Sequence, residues 1–179
     1  MITDQLDTAL FYSIHSLAGH WAAVDFLIVF FGEYFIYIVL VIFIIVAIRA
    51  YQKEKRITEI TPYLVALIVA GIARYTITPA IRFYYHHLRP FVALSTTHLI
   101  TDTSYSFPSG HTIVFFSLAT ATYFFNKKFA YFLYVSGLIV GIARIVGGVH
   151  YPSDIIGGII LGIATGGILY WLYTKCLCS

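Results

Sequence analysis

The sequence predicts an all-α integral-membrane helical bundle, with about five transmembrane helices plus an N-terminal interfacial helix, in a single domain over residues 1–179. Three observations carry this. Of the 179 residues 60% are hydrophobic, and the mean hydropathy is +0.86. Only 11% are charged, whereas a water-facing surface needs roughly a quarter. Several apolar runs exceed the ~20 residues that a helix needs to cross a bilayer. The net charge of +3 is too small to point to nucleic acid as a partner.

The elements run in order from the N-terminus. Residues 4–18 place Leu6, Leu10, Phe11, Ile14 and Leu17 at helical spacing with Asp4 and Asp7 on the other side. This stretch is short for a span and is expected to lie at the interface. It has two aspartates and no Lys or Arg ahead of its apolar part, so it is not a secretory signal. The first span is expected over 22–49 and the second over about 58–84. A polar stretch, 85–108, comes next. Spans three to five are expected at about 109–125, 129–147 and 153–173, the third continuing a little past Phe125. Trp21, Trp171 and Tyr173 fall near span ends, where amphipathic rings favour the headgroup region. The run Phe83, Tyr84, Tyr85 reads as a membrane-surface belt.

The connectors divide by charge. Arg49, Lys53, Lys55, Arg56, Lys127, Lys128 and Lys175 gather on one side, which the positive-inside rule makes cytoplasmic. The remaining basic residues, Arg74, Arg82, Arg89 and Arg144, lie in or toward the other half. Glu33 and Arg74 sit well inside spans one and two, and a pair between them would relieve two otherwise uncompensated charges. Gly158, Gly162 and Gly166 on span five, and Gly137 and Gly141 on span four, make small faces for close helix packing inside the bundle, with a homodimer interface as the alternative. Cys176 and Cys178 form a C-x-C tail with no accompanying ligand cluster, read as unpaired.

Ionisable groups near a membrane core are functional suspects by default, and three clusters converge on the outer side. Arg82 is followed after six residues by Arg89-Pro90. Pro108-Ser109-Gly110-His111 opens span three. Arg144 ends span four, His150 comes five residues later, and Asp154 lies in the first turn of span five. Guanidiniums cannot gather in a low-dielectric site without a counter-anion, and their forks suit phosphate oxygens. Ser109 suits a helix N-cap, leaving the N–H groups of Gly110 and His111 at the positive end of the helix. Asp154, four residues after His150, would fix its tautomer and leave the other ring nitrogen free to attack. His111 could donate to the leaving oxygen. The reaction would pass through a phosphohistidine and then hydrolysis. A His, His, Asp metal site is the rival reading, which three nearby arginines oppose. His86 and His87 read as interfacial or lid residues.

These three stretches resemble the motifs of the type-2 phosphatidic acid phosphatase superfamily, which includes integral-membrane lipid phosphatases. That family reads Lys-x6-Arg-Pro, then Pro-Ser-Gly-His, then Ser-Arg-x5-His-x3-Asp. Here Arg82 stands for the lysine and Ala143 for the serine; the rest match. The resemblance implies a metal-independent phosphatase needing no cofactor, with His150 as nucleophile, Asp154 as its partner and His111 as acid. It implies that Arg82, Arg89, Ser109, Gly110 and Arg144 bind the phosphate. Within the superfamily, the stretch 17–38 and the compact chain are similar to bacterial undecaprenyl-diphosphate phosphatases, which work at the outer face of the cell (inner) membrane. Phosphatidylglycerophosphate and lipid A phosphatases carry the same motifs. A lipid phosphotransferase and a transporter of phosphate-headgroup lipids are the rivals in function.

Overall fold

A computed structural model describes residues 2–177, and the side chains of residues 5–176; Cys178 and the side chain of Asp4 lie outside these. The described residues form seven helices: α1 (Ile2–His15), α2 (Ala22–Glu54), α3 (Ile57–Tyr84), the single turn α4 (Pro90–Ala93), α5 (Gly110–Tyr123), α6 (Lys127–Val146) and α7 (Pro152–Leu177). They contain no strand. Helices α2, α3, α6 and α7 are each long and apolar enough to cross a membrane. Their outer faces carry large apolar side chains, such as Phe26, Val41, Ile68, Val135 and Ile160, more than half exposed. With polar groups inside and apolar ones outside, lipid is the solvent that this surface fits.

Helix α5 is the centre of the bundle, buried along almost its whole length. Its neighbour α7 comes close through the predicted glycine stripe. A Cβ at Gly162 would stand 2.9 Å from the Ile113 carbonyl, and one at Gly166 2.6 Å from that of Ser117. The glycines of α6 do the same work, Gly137 against Phe115 and Phe116, and Gly141 against Ile155. The four-residue spacing is thus used for packing within the chain.

Span three differs from expectation. It ends at Tyr123 instead of passing Phe125, because the Thr122 carbonyl takes the N–H groups of both Phe125 (3.1 Å) and Asn126 (2.8 Å). The Asn126 side chain then caps α6, accepting from Phe129 N at 3.2 Å. Fourteen residues make only about 21 Å of helix. A helix enclosed by others need not match the lipid thickness.

Two helices are interrupted by a π turn, Phe30–Tyr34 in α2 and Ala73–Ile77 in α3. The second has a visible cause. Pro79 has no N–H for the carbonyl four residues back, and the Ala73 carbonyl takes both Thr78 N and, at 2.9 Å, Thr78 Oγ1. These turns carry Gly32, Glu33 and Arg74, all at the end of the bundle that holds the motifs.

Helix α1 packs across the same end. Phe11 is buried, stacked on His15 (5.0 Å) and tilted on Tyr151 (5.6 Å), and His15 Nδ1 lies 2.7 Å from the Val146 carbonyl oxygen. Leu6, Leu10 and Leu17 stay exposed, so the apolar positions expected on one face divide between bundle and surroundings. Asp7, expected on the polar side, accepts from Ser153 N at 3.0 Å and from its hydroxyl, capping the start of α7. The rings of Phe83, Tyr84 and Tyr85 are exposed, as a surface belt requires.

Candidate active site

The alternation of α2, α3, α5, α6 and α7 brings the end of α3, the starts of α5 and α7 and the end of α6 to one pole of the bundle. The seven basic connector residues fall at the other. The 85–109 segment folds over the first pole, tied down by Ser106 N to the His87 carbonyl (2.7 Å) and Leu99 N to the Gly147 carbonyl (3.0 Å). All eight residues singled out by their motifs meet there.

His150 is buried between α6 and α7. Its Nδ1 lies 3.2 Å from Asp154 Oδ2, the i, i+4 contact expected from the sequence. That carboxylate is saturated with donors: Oδ2 also accepts from Tyr151 N (2.8 Å) and the Ser106 hydroxyl. Oδ1 meets His87 Nδ1 at 3.1 Å. With Nδ1–H held by an anion, Nε2 carries the free lone pair. Burial pushes the imidazole from its usual 6.5 down to about 3, outweighing the hydrogen bond to Asp154, which acts the other way. The ring is therefore neutral at physiological pH, the state a nucleophile needs.

One arginine reaches Nε2, and two more stand at the same pole. Arg89, itself buried, places Nη1 at 3.4 Å from Nε2 and donates to the Val149 carbonyl (2.8 Å) and, from Nε, to that of Ser104 (2.7 Å). Arg82 donates to Ser104 Oγ (2.7 Å) and the Pro108 carbonyl (2.9 Å). Arg144 donates to the Gly32 carbonyl at 3.0 Å. Arg82 Nε and Arg144 Nε are buried with no hydrogen-bond partner among the described residues, an open donor capacity that is costly to leave unmet.

The counter-anion that these cations need is supplied by the chain. Asp102 Oδ2 lies 2.7 Å from Arg89 Nη2 and 3.4 Å from Arg144 Nη2. Burial alone would raise the Asp102 carboxyl, but the Ser104 hydrogen bonds and the two guanidiniums hold it at about 2. Burial in turn lowers Arg89 to about 10, still fully charged near neutrality, with Asp102 opposing the shift. The expected Glu33–Arg74 pair does not form. Glu33 Oε1, within the π turn of α2, faces Arg144 Nη1 at 3.8 Å.

Ser109 caps α5, accepting from Thr112 N (3.5 Å) and Thr112 Oγ1 (3.0 Å), and its own N–H is tied to the Asp154 carbonyl at 3.1 Å. Gly110 and His111 then open the helix, and His111 lies on its partly exposed side. A cavity of about 860 Å³ lined by Arg82, Arg89, Asp102 and Ser104 opens at this pole. Sequence reasoning missed Asp102, Ser106 and the link from His87 to Asp154. The residues carrying those contacts lie in 85–108, a stretch with no periodicity to reveal which side chains turn inward. His86, its neighbour, instead sets its ring tilted on Tyr105 at 4.6 Å.

The model of the PAP2 superfamily matches residues 59–178. The undecaprenyl-diphosphatase BcrC of Bacillus subtilis is 33% identical over 162 residues, 90% of this chain and 81% of that one. The bacitracin transport permease protein BcrC of Bacillus licheniformis is 27% identical over 177 residues, 98% of this chain and 84% of that one. In fold, a transmembrane PAP2-type phosphatidylglycerolphosphate phosphatase from Bacillus subtilis superposes with a TM-score of 0.74 at 23% identity, over 98% of this chain and 88% of that one.

Proposed function

The chain belongs to the PAP2 superfamily, as an integral-membrane lipid phosphatase, and on that premise we propose that it hydrolyses a lipid diphosphate, undecaprenyl diphosphate first among candidates, through a phosphohistidine. The observation that carries the mechanism is the His150 geometry: Nδ1 on Asp154, and Nε2 turned to Arg89. The likeness to an undecaprenyl-diphosphatase, over most of both chains, supports the substrate.

In this reading the terminal phosphoryl group replaces Asp102 as the anion between Arg89 and Arg144. Arg82 and the N–H groups opening α5 take its other oxygens, behind the Ser109 cap. The Nε2 lone pair forms the P–N bond as the P–O bond to the leaving group breaks. His111 gives its proton to the leaving oxygen, and Asp154 holds the charge that develops on the His150 ring. Water then attacks phosphorus, passes a proton to His111, and the P–N bond breaks to release inorganic phosphate. No metal or cofactor enters these steps. The basic residues at the far pole support an outward-facing site in the bacterial cell membrane.

The name of the Bacillus licheniformis relative keeps a second reading in view, a transporter of phosphate-headgroup lipids. One experiment separates them: phosphate release by purified protein in chelator, across undecaprenyl diphosphate, phosphatidylglycerophosphate, phosphatidate and lipid A. Release from the diphosphate, abolished in His150→Ala, is expected. Intact activity in that variant removes the nucleophile, and no release from any lipid favours transport.

A further inference from the structure

Arg74 is the one arginine of this pole that belongs to no motif. Among the described residues it has no carboxylate at ion-pair distance and no hydrogen bond; its nearest aromatic contact is the Tyr75 ring, 5.9 Å away. It sits in the π turn Ala73–Ile77, a local irregularity that often marks functional sites. Its guanidinium lies over Gly110 at the start of α5. A Cβ at that position would stand 2.7 Å from Nη1 and 2.9 Å from Cζ, so glycine is what admits the arginine there.

Arg74 also stands at a junction. On one side it lines the cavity that holds Arg82, Arg89 and Asp102. On the other, together with His111, it closes the polar end of a groove of about 290 Å³ running along α2, α3 and α5 between Ile36, Leu40, Leu67, Ala70 and Val114. A lipid whose terminal phosphoryl group meets His150, with its leaving oxygen at His111, would set its next chemical group at Arg74 and its chain in this groove. In a lipid diphosphate that next group is a second phosphate. In a monophosphate it is a carbon of the lipid.

Resting on the diphosphatase reading above, we infer that Arg74 is the subsite for the phosphate that stays on the lipid, and so selects diphosphate over monophosphate esters. When the bridging P–O bond breaks, charge grows on that retained phosphate. A guanidinium already positioned beside it acts mainly on turnover, and its fork suits two phosphate oxygens.

The test compares farnesyl diphosphate with farnesyl phosphate in detergent, by inorganic phosphate release. Wild-type protein is expected to prefer the diphosphate by at least ~10-fold in kcat/KM. Arg74→Gln should lose ~10²-fold on the diphosphate, the scale of removing one donor to a developing oxyanion. On the monophosphate it should stay within about threefold, which also reports that the variant is folded. Arg74→Lys, keeping charge and bulk, should recover part of the diphosphate activity. Equal losses on both substrates, an unchanged diphosphate rate, or a wild-type protein without preference each overturns the subsite. Release from neither compound by wild-type protein instead overturns the phosphatase reading on which it rests.

Discussion

Asp154→Asn is the sharpest test of the proposed chemistry, because the substitution preserves shape while exchanging the carboxylate for a neutral amide. In the native site Oδ2 lies 3.2 Å from His150 Nδ1. Bonding of Nε2 to phosphorus makes that ring cationic. At this separation and an effective dielectric constant of about 20, the carboxylate stabilises the cation by ~5 kcal/mol. Each 1.36 kcal/mol is a factor of ten in rate, so the ceiling is nearly four decades. The amide oxygen keeps part of the interaction as a dipole, and kcat is expected to fall ~10³-fold. Stability should fall too. The carboxylate receives His150, Tyr151 N and Ser106 on one oxygen and His87 on the other; an amide NH₂ must face one of these sets, at about 1–3 kcal/mol for an unmet buried group. Phosphate release from farnesyl diphosphate, with thermal melting in the same detergent, reads both effects. A folded Asp154→Asn protein that keeps more than a tenth of the wild-type kcat would refute the role given to this carboxylate.

The same geometry sets other outcomes. Because burial holds His150 near 3 in the folded chain, against 6.5 when free, its contribution to stability is complete above about pH 6.5 and is lost progressively as pH falls toward 3. Melting temperature should therefore drop across that window, and the acid limb of kcat/KM, which reports the free enzyme, should lie well below pH 6 once corrected for substrate ionisation; a midpoint at 6.5 would contradict the buried neutral ring. Asp102→Asn frees Arg89 and Arg144 for an incoming anion, so the inhibition constant of inorganic phosphate should fall about tenfold, and a rise would mean that the carboxylate positions the arginines instead of competing. Asp7→Ala removes the cap on Ser153 at the start of α7 and should cost ~0.5–2 kcal/mol of stability, read by thermal melting, with kcat unchanged.

Much of this site is legible in the sequence because its key spacings are local. Four residues across a helix start leave Asp154, in the first turn of α7, within reach of His150 just ahead of it, and proline, serine and glycine before a span specify a cap at Ser109 almost by themselves. The apolar runs predict the spans, with boundaries off by a few residues, most clearly where Asn126 begins a new helix early. Charge pairing is not legible. Depth along the spans sets Glu33 opposite Arg74, but depth does not say which way a side chain faces, and Glu33, inside a π turn, faces Arg144.

The sequence by itself determined that this chain is a helical membrane protein, which residues of its three motifs carry charge, and the spacing within each motif. These depend on composition and on helical rise, which act over a few residues. Only the tertiary structure decided which acid neutralises the arginines, that His87 shares Asp154, that Asp7 caps a helix far along the chain, and that Arg74 lies over Gly110. Those contacts join segments far apart in sequence, through a folded-over connector and through helix rotations that no periodicity encodes, so they exist only once the helices have packed.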